Sequence, residues 1–341
     1  MSSYLLTRRG PITTLPLPGE SKSQYVPMPI QLPSGDIWFV VKGDESRSIH
    51  AYKSTDSGAT FAYQGIVIAP SGGSNWDGGM CLDPVMTYDA ATATIHYLWK
   101  GKTDPNGGYG GFSIGHGTAP GANPMALTRD PLNPILTPAI VQAFFPWTGT
   151  LGDLYASDAM RDPWGVLLIW CGFRDASGIY HIFRTRGGWN SFTPRVEGQV
   201  HPTAPWSHVQ APCVFQHPDY PVSLDAQGNG VGRYVLIFTE GHDSGAVGAL
   251  HQMSAWCLAD GNWNWQRTGN LFLPSGPAGA WDAKLAYAAH LLKGGARYDV
   301  PIVVDGKQLL FYSGAPTTSF TARSGIADLV VGAPVETAVI G

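Results

Sequence analysis

Charge is sparse in this chain, and neither sign dominates. Of 341 residues, 13% are Asp, Glu, Lys or Arg, with 21 basic side chains against 25 acidic ones and a formal charge of −4. That balance lacks the basic footprint a polyphosphate backbone selects, so nucleic acid is not expected as a partner. Glutamate is rarer still, occurring only at positions 20, 45, 197, 240 and 336. Cysteine occurs four times, as Cys81, Cys171, Cys213 and Cys257, far apart and never as Cys-x-x-Cys. Each lies in or beside an apolar run, where a reduced thiol acts as a small hydrophobe. The spacing therefore predicts free buried thiols rather than a disulfide framework, and offers no catalytic zinc cluster. No apolar run reaches membrane-spanning length, and the first nine residues lack a basic region followed by an apolar one. Neither a membrane partner nor a signal peptide is expected, and the chain leaves its localisation open. No P-loop, dinucleotide fingerprint or Gly-x-Ser-x-Gly elbow stands in a strand–turn–helix setting.

What is abundant is turn chemistry: 43 Gly and 27 Pro separate runs of Val, Ile, Phe, Tyr and Trp. This composition predicts an all-β chain. The stretch from Met160 to Gly172, which contains Arg161-Asp162-Pro163, reads as a charged entry, an apolar strand and a closing glycine. The same layout recurs from Pro29 to Gly43, from Asp83-Pro84 to Gly101, from Gln210-Ala211-Pro212 to Gly241, and from Asp299 to Gly314. Five hairpins at irregular intervals predict a radially repeated sheet, a five-bladed β-propeller of four-stranded antiparallel blades in one domain spanning residues 1–341. The expected blades are residues 25–68, 79–138, 155–194, 209–273 and 285–330. Residues 1–24 form a lead-in whose strand near 4–7 pairs with the last blade and removes a sheet edge. Residues 115–138 read as a surface excursion and 217–232 as an insertion. Either residues 285–292 or 300–304 supply the first strand of the fifth blade.

One loop of the first blade has a sharper signature. Ser54-Thr55-Asp56-Ser57-Gly58-Ala59-Thr60-Phe61 resembles the Asp box of sialidases and related propellers, and Thr185-Arg186-Gly187-Gly188-Trp189-Asn190-Ser191-Phe192 is a weaker echo. An Asp that ties down turn amides, a Gly with an unusual backbone angle and an aromatic plug make such a loop structural rather than catalytic.

In an antiparallel meander one rim collects the first-strand starts, the second-strand ends and the incoming loops. That rim is expected to gather Asp83, Arg161, Asp162 and Gln210; Lys42, Lys100, Cys171, Glu240 and Ser313; and Trp76-Asp77, Trp206-Ser207-His208 and Trp281-Asp282. Polar groups that grip hydroxyls and flat rings that stack on a pyranose or furanose are what sugar recognition requires, so carbohydrate is the expected partner. Trp76 and Trp281 serve equally well as seals between blades.

The five-bladed layout, the Arg161-Asp162-Pro163 triplet and the Asp83-Pro84 start resemble the five-bladed glycoside hydrolases that include invertases, levansucrases, arabinanases and xylosidases. The resemblance implies three acids from different blades: a base or nucleophile, a second Asp that orients or stabilises, and a general acid Glu. The triplet carries the second role onto Asp162. The first-blade acid is replaced here by Val26-Pro27-Met28-Pro29, and the Glu by Gln210, which cannot give up a proton at neutral pH. The expected catalytic set is therefore Asp83 as base or nucleophile, Asp162 as stabiliser and Glu240 as acid, with a raised and a depressed carboxyl at one funnel. Trp76, Asp77, Lys100, Arg161, His208, Gln210, Trp281 and Asp282 are the candidate sugar contacts. No cofactor is expected, although His290 could sit on the axis with a water or an ion, as a His does in some of the resembled enzymes; a plain core histidine is the simpler reading. The alternative function is a propeller that binds carbohydrate without cleaving it.

Overall fold

The computed structural model describes residues 2–12, 23–106, 110–145, 152–189, 191–200, 209–217, 220–240, 249–256, 266–273, 276–278, 280–283, 285–315 and 322–334. Apolar runs such as Ile37-Trp38-Phe39-Val40-Val41 are buried along their whole length. A strand covered on both faces needs no alternation of polar and apolar side chains, which is why these runs are continuous. The chain is an all-β propeller.

Sheet I contains strands Gln24–Gln31, Ile37–Gly43, Ile49–Ser54 and Ala62–Ile68 in sequential antiparallel order. Sheet II follows with Met80–Asp89, Thr94–Lys102, Ser113–Pro120 and Thr128–Arg129, and sheet III with Asp153–Arg161, Leu167–Arg174, Tyr180–Gly188 and Ser191–Val200. Sheet IV consists of Val209–Gln216, Arg233–Glu240, Ala249–Trp256 and Gln266–Leu273. Sheet V departs from this pattern. Its path runs from Leu285–Leu291 through Lys307–Ala315 and Arg323–Pro334 to Ser2–Pro11, with the short strand Val303–Val304 as a fifth member beside Lys307–Ala315. The first strands of sheets I to V pack in turn against one another, and that of sheet V packs back against sheet I.

Leu285–Leu291 is thus the inner strand of sheet V, while Val300–Pro301 closes a small hairpin with Lys293–Gly294. Residues 115–138 are only in part the expected excursion, because 115–120 and 128–129 belong to the third and fourth strands of sheet II. Their glycines hid the strand from a propensity reading, and the reason is spatial. A Cβ on Gly115 would enter the Trp76 indole, and one on Gly117 would press Leu127 and the Thr128 carbonyl. The insertion at 217–232 carries the two-stranded hairpin of Ser223–Leu224 and Gly230–Val231. Among the described residues no helix is long and apolar enough to cross a membrane. Cys81, Cys171 and Cys213 are free and buried, and burial pushes their thiols up; Cys257 lies outside the described residues.

The Ser54 to Phe61 loop joins the third and fourth strands of sheet I. Asp56 accepts hydrogen bonds from the Thr60 amide at 2.9 Å and the Ser54 hydroxyl at 2.7 Å, and the Ser54 oxygen accepts the Gly58 amide at 2.9 Å. Gly58 has φ +80°, and a Cβ there would meet Leu309 of sheet V at 3.0 Å. Phe61 packs edge-on against Phe39 and Phe311, so the loop seals sheet I against sheet V.

Candidate functional site

Each inner strand is interrupted at the same level by a β-bulge. The register slips after Tyr25, Leu82, Ala156, Gln210 and Tyr287. Val26, Asp83, Ala211 and Ala288 consequently adopt φ between 45° and 58°, a conformation rare for side chains with a Cβ. Three of the bulges are followed by proline (Pro27, Pro84 and Pro212), which tolerates a position without a ladder hydrogen bond.

The freed groups are caught by side chains of the preceding sheet. The Val26 amide donates to Ser313 Oγ at 2.8 Å, the Ala211 amide to the Tyr155 hydroxyl at 3.1 Å, and the Ala288 amide to Thr239 Oγ1 at 3.0 Å. At sheet II the bulge residue is itself an acid. Lys42 Nζ approaches Asp83 Oδ1 at 3.1 Å, and Lys100 Nζ reaches Asp83 Oδ2 at 2.7 Å and Asp153 at 3.1 Å. Burial alone would raise the Asp83 carboxyl, but the two ammonium groups outweigh it and hold the group at about 2. Asp153 is shifted the other way, because burial and the nearby Asp83 charge exceed the help it receives from Lys100. Both lysines stay charged: burial opposes this, while Asp83 with Asp44 at Lys42, and Asp153 with Asp83 at Lys100, raise them. Lys42 also lies 4.0 Å from the Tyr25 ring centroid and Lys100 lies 4.5 Å from that of Phe112. The phenols of Tyr25 and Tyr287 are raised by burial and feel the Asp83 charge. Gln210 is 3% exposed, and its Nε2 has no partner among the described residues.

Asp162 does not join this cluster, which corrects the expected catalytic triad. The first strand of sheet III is Asp153–Arg161, so Arg161-Asp162-Pro163 ends that strand rather than beginning it. Asp162 Oδ1 accepts the Trp164 and Val166 amides at 3.0 and 2.8 Å, and Oδ2 accepts Arg186 at 3.0 Å. It is a hairpin-turn residue. Its neighbour Arg161 reaches Asp89, 3.6 Å away at the far end of the strand that carries Asp83. Six residues of strand separate Asp83 from Asp89, about 20 Å. The bulge level of sheet III is instead occupied by Ala156 and Ser157.

Glu240 is also displaced from its expected position. Lys42, Lys100, Cys171 and Ser313 pair with the residue before each bulge, and in sheet IV that position belongs to Thr239. The backbone of Glu240 falls one step further, in register with Gly101 and Gly314. His208, Trp206 and Ser207 lie outside the described residues.

The two Trp-Asp pairs, expected at the sugar, form latches inside the sheets. Trp76 lies over Gly101 and Gly115, while Asp77 takes the Trp99 indole N–H at 3.1 Å and pairs with Arg129 of the outermost strand. Trp281 lies over Gly314 and Gly325, while Asp282 takes the Tyr312 hydroxyl at 2.8 Å and pairs with Arg8 at 2.8 Å. Trp99 and Tyr312 occupy the same register position of their sheets, one before Lys100 and Ser313. The latch is a repeat that composition could not reveal, because its partners are 22 to 274 residues apart.

Below the bulges the axis is filled. His290 sits between three inner strands, with Nδ1 3.0 Å from the Pro27 carbonyl and Nε2 2.8 Å from that of Ser157, so both ring nitrogens are occupied by backbone. Lys293 Nζ lies 2.6 Å from both oxygens of Asp158 and 2.9 Å from the Val214 carbonyl. Sequence reasoning missed this buried pair. Among the described residues no group of three or more His, Cys, Asp or Glu side chains could hold a metal ion.

No protein-family model and no curated protein matches the sequence. Solved structures do. A thermostable family-43 glycoside hydrolase superposes with a TM-score of 0.63 at 14% identity, over 94% of this chain and 96% of that one. The fold is that of the propeller glycoside hydrolases. An α-L-arabinofuranosidase from Podospora anserina, solved with cellotriose, gives 0.63 at 15% identity over 96% of each chain. A family 117 glycoside hydrolase from Zobellia galactanivorans gives 0.58 at 13% identity over 96% and 90%. Identities this low transfer the architecture; the rim chemistry of this chain has to be argued from its own residues.

Proposed function

We propose that this chain is a single five-bladed propeller, with sheet V as the closing blade, that holds a carbohydrate at the mouth ringed by the bulges. The Ser54 to Phe61 loop serves as its Asp box, with a packing role. The sugar contacts are Asp83, Lys42, Lys100, Gln210 and the Tyr25 and Tyr287 phenols. The observation that carries this reading is the Asp83 clamp, an ionised carboxylate between two lysines, together with a buried glutamine amide that has an unspent donor at the bulge level of sheet IV. Paired charges and an open donor grip hydroxyl groups from both sides, as sugar recognition requires.

Recognition without three-acid cleavage fits these groups best. Where the resembled hydrolases carry acids, this chain has Val26 in sheet I and Gln210 in sheet IV, and the bulge of sheet III offers Ala156 and Ser157. Asp83 is the acid at this level, and its proton is held too weakly to be donated near neutrality. A hydrolytic reading is favoured by one observation, the opposite shifts of Asp83 and Asp153 around Lys100, with Asp83 as base or nucleophile and Asp153 as acid.

One experiment separates the two. Binding and release of reducing sugar are measured across furanosides, pyranosides and polysaccharides for the wild type, Lys100→Met, Gln210→Ala and Asp83→Asn. Saturable binding that weakens at least tenfold in the first two variants, with no release above the Asp83→Asn background, is expected. Release that disappears in Asp83→Asn carries the hydrolase instead, and binding to none of the sugars sinks both.

A further inference from the structure

A second constellation lies between sheets II and III, away from the bulge ring. His96 stands on the second strand of sheet II, His116 on the third, and Asp130 directly after the fourth. Asp130 Oδ2 is 3.1 Å from His116 Nδ1, and His116 Nε2 is 3.1 Å from His96 Nδ1. The two imidazoles are inclined by only 15°. The Trp189 indole from the outer hairpin of sheet III lies parallel over both, 4.0 Å from the His96 centroid and 5.1 Å from that of His116.

The hydrogen bonds dictate the tautomers. A carboxylate only accepts, so His116 carries its proton on Nδ1 and presents a lone pair at Nε2. His96 must then donate through Nδ1, which leaves the lone pair of its Nε2 uncommitted. That nitrogen has no partner among the described residues. Desolvation holds His96 at about 4 and also lowers His116, so both rings are neutral near pH 7. His96 lines a cavity of about 430 Å³ together with Thr118, Thr128, Arg129, Leu132 and Trp189. This size lies within the range of small-molecule sites. Its walls combine an imidazole acceptor, two hydroxyls, the Arg129 guanidinium and the balancing Asp130 carboxylate with the indole and with Leu132, which is 61% exposed.

We propose that this cavity is a second binding site for a neutral sugar residue, one hydroxyl of which donates to His96 Nε2 while the ring lies against Trp189 and Leu132. A rigid acceptor at the end of a polarised relay, beside flat apolar surface, suits a hydroxylated ring and offers no net charge to an ionic ligand. The choice of sugar as the ligand rests on the carbohydrate reading of the protein; the site itself does not involve the bulge ring. Four residues of strand separate His96 from Lys100, about 13 Å.

The test uses the full chain labelled with ¹⁵N, titrated with arabinotriose, xylotriose and cellotriose, with the imidazole nitrogens followed by long-range ¹H–¹⁵N correlation. With at least one trisaccharide the His96 Nε2 resonance should move and saturate. Trp189→Ala should abolish the titration, and His96→Phe should abolish the binding heat of this site. His96→Gln, whose amide oxygen can still accept, should weaken binding at this site by about tenfold, read by calorimetry. Should Trp189→Ala fail to fold, Thr118→Val removes one hydroxyl at constant volume and should lower affinity by a few-fold. Asp83→Asn should leave the His96 titration unchanged. If calorimetry detects binding that Asp83→Asn removes while the His96 resonance stays still, the second site is overturned and the rim reading stands. If the His96 resonance titrates and Asp83→Asn changes no binding heat, the second site stands and the rim reading falls. An unmoved resonance with all three sugars overturns the second site.

Discussion

At the scale of single residues, titration and burial work against each other. Asp83 is ionised in the fold with a pKa near 2, below its ordinary value, so its contribution to stability is present above about pH 4 and is lost as pH falls toward 2. The contribution is about 2 kcal/mol. Asp83→Asn should remove that acid limb from a plot of unfolding free energy against pH. Near neutrality it should cost about 3 kcal/mol, because Lys42 loses its carboxylate partner inside the protein. Histidines act in the same direction but in a higher pH window. His50 hydrogen bonds to Ser46 and Tyr63, and burial lowers it to about 4, as it does His96. Folded values below the unfolded value of about 6.5 mean that the unfolded chain binds more protons. Stability is therefore complete above pH 6.5 and declines as pH falls toward 4. Denaturant midpoints between pH 7.5 and 4.5 should fall steadily in the wild type, and less steeply in His50→Gln; parallel slopes would argue against this account.

At the scale of strands and turns, glycine marks where an indole lies rather than where a strand ends. A Cβ on Gly101 would stand 2.5 Å from the Trp76 ring. Gly101→Ala, and Gly314→Ala under Trp281, should each cost about 1–3 kcal/mol in chemical denaturation, whereas Gly35→Ala, with nothing within 4 Å but φ +88°, should show only the milder backbone penalty. The Trp-Asp latches make a companion case. Arg129→Ala leaves Asp77 buried without its cation, and a loss of about 3 kcal/mol is expected from the same measurement. The Asp-Pro dipeptides show how one local pattern has two uses. Asp83-Pro84 makes a bulge near the start of a strand, and Asp162-Pro163 makes the turn after one. Both need a short acid before a ring that cannot donate, so the dipeptide does not reveal which of them it will form.

At the scale of the whole molecule, the ring is closed by its two ends. Ser2–Pro11 pairs with Arg323–Pro334, and Arg8 and Arg9 reach Asp282 and Asp328 across that seam. Removing residues 1–12 should bare the outer edge of sheet V, strip the buried Asp282 of its cation and leave Asp328 with Lys307 alone. A lower midpoint in thermal unfolding and concentration-dependent association in size-exclusion chromatography are the expected outcomes; an unchanged midpoint would show that the seam carries no load.

The all-β class, the repeated hairpins and the joining of the first strand to the last sheet were legible in the sequence, because apolar runs, glycine, proline and Asx turns act over a few residues. The bulge positions of Asp83 and Gln210 were legible too, since Pro84 follows the one directly and Pro212 follows the other after Ala211. Asp162 was expected at a strand start and instead follows the strand end, Glu240 lies one register step beyond the position that Thr239 takes, and the Trp-Asp pairs took the sealing role rather than the sugar one. Each outcome depends on pairing with residues distant in the chain, which local patterns do not encode. The buried Lys293–Asp158 pair and the relay from Asp130 through His116 to His96 left no local signal. Their members are brought together only when separate strands or sheets close on one another, so tertiary packing alone decided them.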